Sequence, residues 1–396
     1  MMIKTIGRRR FLAGAAGTAV ALKAPAVLSQ STKPVRIGIL NTFTGINAAP
    51  SDTNLKAMNL YFETRNWTVA GRKIELVQED DQFNPQIGLQ KIRKLVESDH
   101  VDLVCGPQAS NVAVAVLNYC KSSKTIILVW AGTDSITWER VPNLYRPGLT
   151  SWQLCTPMAE WEYENIAKEM VLIGADFAAG HDVMLEYKRT FVPKGGKILK
   201  EIYPPLGAGD YSPYLTDISS ISPPAVYCFF TGTDAVRFVR QFSELGLSKK
   251  VKLTGFAPLA DGSTIPGEGE AALGVLTPEI YIDTLDNAAN KAFVAEYRAK
   301  YNAYPDTFSA YGVDTARVID MALTAVGGDT TDKDKLLDAI GKVSFDSPRG
   351  PFRFDPETHN PIQNVYISEV AKVDGRLTQV VHATIKEVRD PSQKPT

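Results

Sequence analysis

Two turns carry the groups in this 396-residue chain best placed to meet a small anion. The first, Gly106-Pro107-Gln108-Ala109-Ser110, follows the β-branched run Val101–Cys105 and precedes Val112, Val116 and Tyr119 at helical spacing. A buried strand that turns straight into a helix leaves free N–H groups at the carboxyl edge of an α/β sheet, where ligands bind. Ser110 is expected to cap that helix. The second turn, Ala131-Gly132-Thr133-Asp134, follows the run Thr125–Trp130 (TIILVW) in the same way. One βα turn alone is more often a plain connection. Two of them make a candidate cradle.

Groups that could make or break bonds are missing. The chain has no GxxxxGK[ST], GxSxG or HExxH pattern. Its four histidines, His100, His181, His359 and His382, are far apart, and Cys105, Cys120, Cys155 and Cys228 show no CxxC spacing. Glu79-Asp80-Asp81 lacks the glycine and bidentate glutamate of a calcium loop, and Gly267-Glu268-Gly269 lacks the third glycine of a dinucleotide site. No catalytic residue, metal, cofactor or disulfide is expected, and the function reads as binding, not as an enzyme.

The elements that must hold the turns read as two α/β layers in succession. Val35–Leu40, Lys73–Gln78, Val101–Cys105 and Thr125–Trp130 alternate with helices near Ser51–Arg65, Gln86–Glu97 and after Ser110. Strands then recur at Val171–Gly174, Lys197–Tyr203, Ala225–Phe230, Val251–Thr254 and Leu273–Thr277, with helices over Met158–Lys168, Gly180–Phe191 and Asp234–Leu245. Ala288–Tyr301, Ser309–Val326 and Lys333–Ile340 are amphipathic, and Gly350–Glu387 alternates as antiparallel strands do. Residues 389–396 read as a loose tail.

Length suits two domains. A hydrophobic content of 44% with 22% charged residues is that of an ordinary globular protein, and a net charge of −1 without a basic stripe excludes nucleic acid as the partner. Residues 1–29 read as an export signal: Lys4, Arg8, Arg9 and Arg10 precede the apolar stretch Phe11–Leu22. Arg8-Arg9-Arg10-Phe11-Leu12 resembles the twin-arginine signature, with Gly7 where Ser or Thr is usual. About twelve apolar residues cannot span roughly 30 Å of hydrocarbon, so no membrane span is expected in the mature form. Removing the signal takes away five basic groups, Lys23 included, and moves the formal charge from −1 to −6.

In this order the pieces resemble the type I periplasmic solute-binding proteins of ABC importers, in the branched-chain amino acid (Leu/Ile/Val) class. The likeness lies in Val35–Gly45 (VRIGILNTFTG), Glu79–Pro85 (EDDQFNP), Leu144–Gly148 (LYRPG), Asp176–Gly180 (DFAAG), Tyr311–Ile319 (YGVDTARVI) and Gly350–Ile367. The resemblance implies two doubly wound parallel-sheet lobes joined by three crossover hinge segments, with a small ligand in the cleft. The lobes would be 34–150 plus 279–355 and 151–278 plus 356–388, with crossings near Pro147–Ser151, Thr277–Pro278 and Asp355–Pro356. It implies a small carboxylate ligand, an inner-membrane permease as partner, a periplasmic location and a monomer.

By position, Gln108, Ala109, Ser110, Gly132, Thr133 and Asp134 would hold the carboxylate. Phe43 would form a wall, with Trp130 near the mouth, and Phe177, Ala179, Thr231, Gly232, Asp234 and Ala257 would close from the second lobe. Amino-acid-binding members carry an acid after the strand that here reads Val251–Thr254. This chain continues Gly255-Phe256-Ala257-Pro258-Leu259, with no acid before Asp261. An ammonium left unpaired in a closed site costs several kcal/mol. Either Asp134, Asp234 or Asp261 meets an amine, or the ligand is an amine-free aromatic or aliphatic acid. A ligand-sensing receptor on the same scaffold is the second reading, and a cleft enzyme a distant third.

Overall fold

The computed structural model describes Met1 and residues 33–391, so the export signal expected over 1–29 lies outside the described residues. The first sheet contains β1 (Val35–Asn41), β2 (Thr68–Val69), β3 (Arg72–Asp80), β4 (Leu103–Cys105), β5 (Ile127–Leu128) and β6 (Leu144–Tyr145). Its order is β2-β3-β1-β4-β5-β6, parallel throughout except for the β2–β3 hairpin. The second contains β7 (Glu169–Gly174), β8 (Lys197–Ile202), β9 (Ala225–Phe229), β10 (Lys252–Gly255) and β11 (Leu276–Glu279). It is extended by β12 (Ser344–Ser347), β13 (Gly350–Phe354), β14 (Pro361–Val373) and β15 (Arg376–Val388). The order is β12-β13-β14-β11-β10-β9-β7-β8, with β15 on β14.

Both sheets reverse strand order next to their first strand, β1 against β4 and β7 against β9. Such switch points open crevices at the carboxyl edge. Gly106 lies at the first of them, with φ +92°, and a Cβ there would fall onto the Leu40 carbonyl oxygen. Only glycine fits a left-handed backbone pressed that closely against a neighbour.

Several expected elements shift, each for a local reason. The run Thr125–Trp130 pairs only at Ile127–Leu128, because the Trp130 and Ala131 N–H groups turn to the Pro107 carbonyl at 3.2 and 3.1 Å. The helix expected from Met158 starts instead at Ser151 and runs to Asn165 with Pro157 inside it. Its start is a capping box: Thr150 Oγ1 accepts from the Gln153 N–H at 3.2 Å and Gln153 Oε1 from the Thr150 N–H at 3.3 Å. Ser110 does not cap its helix. Ala109 is the N-cap, without a side-chain bond, and Ser110 is the first helical residue.

The helix Ala48–Glu63 packs on Thr307–Ala325 over the first sheet. Gly312 lets the Asn54 carbonyl approach where a Cβ would strike it. Tyr61 donates to Asp320 Oδ2 at 2.7 Å, and Tyr301 donates to the Lys56 carbonyl at 2.9 Å. The first lobe is therefore closed by chain more than 240 residues downstream.

Arg349 ties the Pro147–Gly148 segment to β14 and to the Thr307–Ala325 helix. Buried to 1% exposure, it pairs Nε with Asp314 Oδ2 at 2.6 Å. Its other nitrogens donate to the Pro147 carbonyl at 2.5 Å, the Gly148 carbonyl at 3.4 Å and Gln363 Oε1 at 2.7 Å. Arg389 and Asp390, expected in the loose tail, are held: Arg389 bonds Asp355, and Asp390 is buried and accepts from Asn360 at 3.2 Å. All four cysteines are buried free thiols.

Candidate functional site

A cavity with about 610 Å³ of empty space, counted to its mouth, lies between the carboxyl edges of the two sheets. Nine of the residues expected from sequence line it: Gln108, Ala109, Ser110, Trp130, Gly132, Phe177, Ala179, Thr231 and Ala257. The first lobe's turns after β4 and β5 bring five of these, and the loops after β7, β9 and β10 bring the other four from the second lobe.

The remaining lining was not singled out from sequence, and five of its eleven residues are aromatic. Phe83, Phe229, Phe256, Phe308 and Tyr311 join Trp130 and Phe177, so seven rings face one space. Phe177 stacks on Phe229 at 5.8 Å between centroids, and Phe229 meets Phe256 edge-on at 5.3 Å. Trp130 is 1% exposed and oriented by its Nε1–H, which donates to Thr315 Oγ1 at 2.9 Å. Rings arranged in this way offer a flat aromatic guest both stacking and edge contacts.

The polar complement is small and neutral: Asn47, Gln108, Ser110, Ser151, Thr231, Thr307 and the Tyr311 hydroxyl. Gln108 Oε1 is buried without a protein partner. The backbone at the Ser110–Ser123 helix start adds free N–H groups and the positive dipole end, which hold an anion without a cationic side chain. Among the lining residues there is no Asp, Glu, Lys, Arg or His.

The other expected site residues fall outside the lining. Phe43 packs half-buried against the first core, its N–H donating to Asp80 Oδ1 at 2.9 Å. Thr133 donates to Asp182 of the helix Ala178–Phe191, a bond from one lobe to the other. Asp134 is buried and accepts from the Trp152 N–H at 3.1 Å. Burial, then the Asp390 charge, push its carboxyl well above the usual range, while Arg146 pulls the other way. Asp234 accepts from the Gly207 N–H at 2.7 Å and pairs with Arg237. Gly232, at φ +56°, admits the Ile46 carbonyl where a Cβ would clash. Asp261 is buried beyond the lining as well, bonded to Ser263.

The lobes touch across the cavity. Thr231 Oγ1 donates to Asn47 Oδ1 at 3.3 Å, and Phe83 lies 5.8 Å from Phe177. Together with Thr133–Asp182, these contacts join the two lobes beside the cavity.

Among known proteins, a sequence profile described as periplasmic binding protein matches residues 34–376. Leu/Ile/Val-binding protein homolog 6 of Brucella melitensis is 28% identical over 383 residues, 95% of this chain and 98% of that protein. An ABC transporter substrate-binding protein from Sphaerobacter thermophilus is 33% identical with a TM-score of 0.85, over 91% of this chain and all of that one (100%). A solute-binding protein of an ABC transporter from Rhodopseudomonas palustris BisB5, solved in complex with 3,4-dihydroxybenzoic acid, is 32% identical. Its TM-score is 0.86, over 90% of this chain and 99% of that one.

Proposed function

Since the chain belongs to the periplasmic binding protein family, we propose that it is the solute-binding component of an ABC importer for an aromatic carboxylate of benzoate size. It captures the ligand by closing its two lobes and delivers it to an inner-membrane permease. The basic and apolar stretch over 1–29 is read as its export signal.

One observation carries the choice of ligand. Seven aromatic rings and a few neutral polar groups line the cavity, and no carboxylate reaches it to meet an ammonium. The three acids that could have taken that role, Asp134, Asp234 and Asp261, all lie outside the lining. A branched-chain amino acid would thus bury its ammonium unpaired, whereas a benzoate needs only ring contacts and donors for its carboxylate. The Rhodopseudomonas relative solved with a dihydroxybenzoic acid supports the same reading. The cavity also lacks an acid–base pair or an activated nucleophile among its lining residues, which favours binding over turnover.

A thermal-shift panel tests this directly, since ligand binding raises apparent stability by mass action. Benzoate, 4-hydroxybenzoate and 3,4-dihydroxybenzoate are expected to raise Tm, and leucine, isoleucine and valine to leave it unchanged at the same concentration. The reverse pattern would end the aromatic-acid reading. Within the site, Ser110→Ala is expected to weaken binding of the best acid by about 1–3 kcal/mol in calorimetry, as loss of a hydrogen bond to a buried anion does. Thr133→Val removes a bond between lobes and not a cavity group. Its expected effect is near 1 kcal/mol and equal for all ligands that bind.

A further inference from the structure

Thr307 lines both the cavity and a larger groove of about 1210 Å³ whose walls include Gly262, Tyr281, Asp306 and Gln379. Beside it three carboxylates are buried together: Asp261 at 1% exposure, Glu279 at 0% and Asp306 at 3%. They come from three parts of the molecule. Asp261 follows β10 of the second lobe, and Asp306 is the N-cap of the first lobe's Thr307–Ala325 helix. Glu279 ends β11, at one of the crossings.

Every donor to these carboxylates is neutral. The Ser263 N–H and hydroxyl reach Asp261 Oδ1 at 2.8 and 2.6 Å, while Asp261 Oδ2 is buried with no partner. Ser309 gives its N–H and hydroxyl to Asp306 Oδ1, both at 2.7 Å. Thr307 and Gln379 each donate to Glu279 at 3.1 Å. The remaining titratable groups facing the cluster add no positive charge: Glu268 on the Asp261 side, Tyr281 and Tyr297 near Asp306, and Tyr311 near Asp261 and Glu279. The cations near these neighbours are engaged: Arg376 with Asp283 at 2.7 Å, Arg349 with Asp314 at 2.6 Å, Lys372 with Glu270 at 3.2 Å, and Arg146 with the Ala131 and Thr133 carbonyls.

The juxtaposition is made between lobes. Gly262 packs so closely on the Asp306 side chain that a Cβ there would lie 3.1 Å from Asp306 Cβ. Asp261 and Asp306 sit on opposite lobes, so lobes that part would draw them away from each other and toward water. Closing them desolvates like charges side by side, and a group carrying a proton avoids that penalty.

We propose that lobe closure is coupled to proton uptake by the Asp261–Glu279–Asp306 cluster, so that the closed, ligand-holding form is favoured at low pH and opens as pH rises. Burial pushes all three carboxyls up, and the Asp306 charge helps carry Asp261 to about 7. The groove beside Asp306 gives protons a route from solvent. This inference rests on closure around a ligand as read above, but not on the ligand's identity.

The test is calorimetry of 4-hydroxybenzoate binding to the full protein in buffers of differing ionisation enthalpy between pH 6 and pH 8. Uptake of about one proton and an affinity about tenfold weaker at pH 8 than at pH 6 are expected. Asp261→Asn should remove most of both, with the remainder falling to Asp182 at its bond to Thr133 between lobes, and its folding is checked by an undiminished Tm. Binding without proton uptake, or an Asp261→Asn variant that keeps the full pH dependence, overturns the proposal. So does recovery of the pH 6 affinity at pH 8 on adding calcium chloride, which would mean that a cation meets the charges instead. If 4-hydroxybenzoate does not bind, the ligand assignment has failed on its own. Small-angle scattering of the unliganded protein then decides: compaction from pH 8 to pH 6 supports the coupling, and an unchanged radius of gyration overturns it.

Discussion

Replacing Arg349 by methionine is expected to destabilise the protein by about 3–5 kcal/mol, the usual cost of leaving one half of a buried ion pair behind. Asp314 would keep only the Ser347 hydroxyl, at 2.8 Å, and its Oδ1 already has no partner. The Pro147 and Gly148 carbonyls and Gln363 would lose their shared donor at the same time. Urea denaturation of Arg349→Met reads the loss, and adding Asp314→Leu should recover much of it, because a matched apolar pair replaces both charges. A loss below 1 kcal/mol would show that the Pro147–Gly148 segment does not depend on this hub.

A second large effect should appear as a pH slope. Glu162 is fully buried in the second lobe's core, and no hydrogen bond of normal length reaches either oxygen. Burial dominates and raises its pKa to about 7, with the nearby Thr254 and Tyr187 hydroxyls only partly opposing it. In the unfolded chain the group returns to its ordinary 4.5. Between those values the folded state binds the extra proton, so stability is full below about 4.5 and falls as pH rises toward about 7. The difference amounts to roughly 3 kcal/mol for this one group. Glu162→Gln should therefore gain stability relative to the native protein at pH 8 and gain little at pH 4.5. Equal gains at both pH values would rule out a buried proton. Asp261 and Asp182, raised to about 7 and about 6, leave a residual slope in the variant.

Much of the architecture was legible because strands buried on both faces advertise themselves. VRIGIL and AVYCFF read as strands and form β1 and β9, and the helix Ala288–Tyr301 has the bounds expected of it. The start at Ser151 was also written in the chain, as Thr150 and Gln153 at capping-box spacing. Pro157 sits inside that helix without ending it. Half the cavity was legible too, since Gln108–Ser110 and Gly132 follow strands in an obvious way.

The other half was not. Phe229, Phe256 and Phe308 are buried rings at strand ends and a helix start, and a ring that walls a cavity has the same local pattern as one that fills a core. The charges at Arg349, Asp314, Glu162 and Glu279 escaped notice for a related reason. Their partners, or the lack of them, are decided by chain tens of residues away or more.

The packing of Ala48–Glu63 on Thr307–Ala325 has a consequence for how the protein is made. Bonds such as Tyr61–Asp320 and Tyr301–Lys56 bridge roughly 250 residues. While the chain is being synthesised, Ala48–Glu63 is the only one of these two helices over the first sheet, and it lacks its packing partner until the segment beyond residue 320 leaves the ribosome. At about 5–20 residues per second, that is an interval of roughly ten seconds to a minute. The second lobe's β7–β10 and their helices are contiguous in sequence and can pair as they emerge. The later-synthesised lobe would thus be the earlier to settle, and the amino-terminal sheet is the part most in need of a chaperone while it waits.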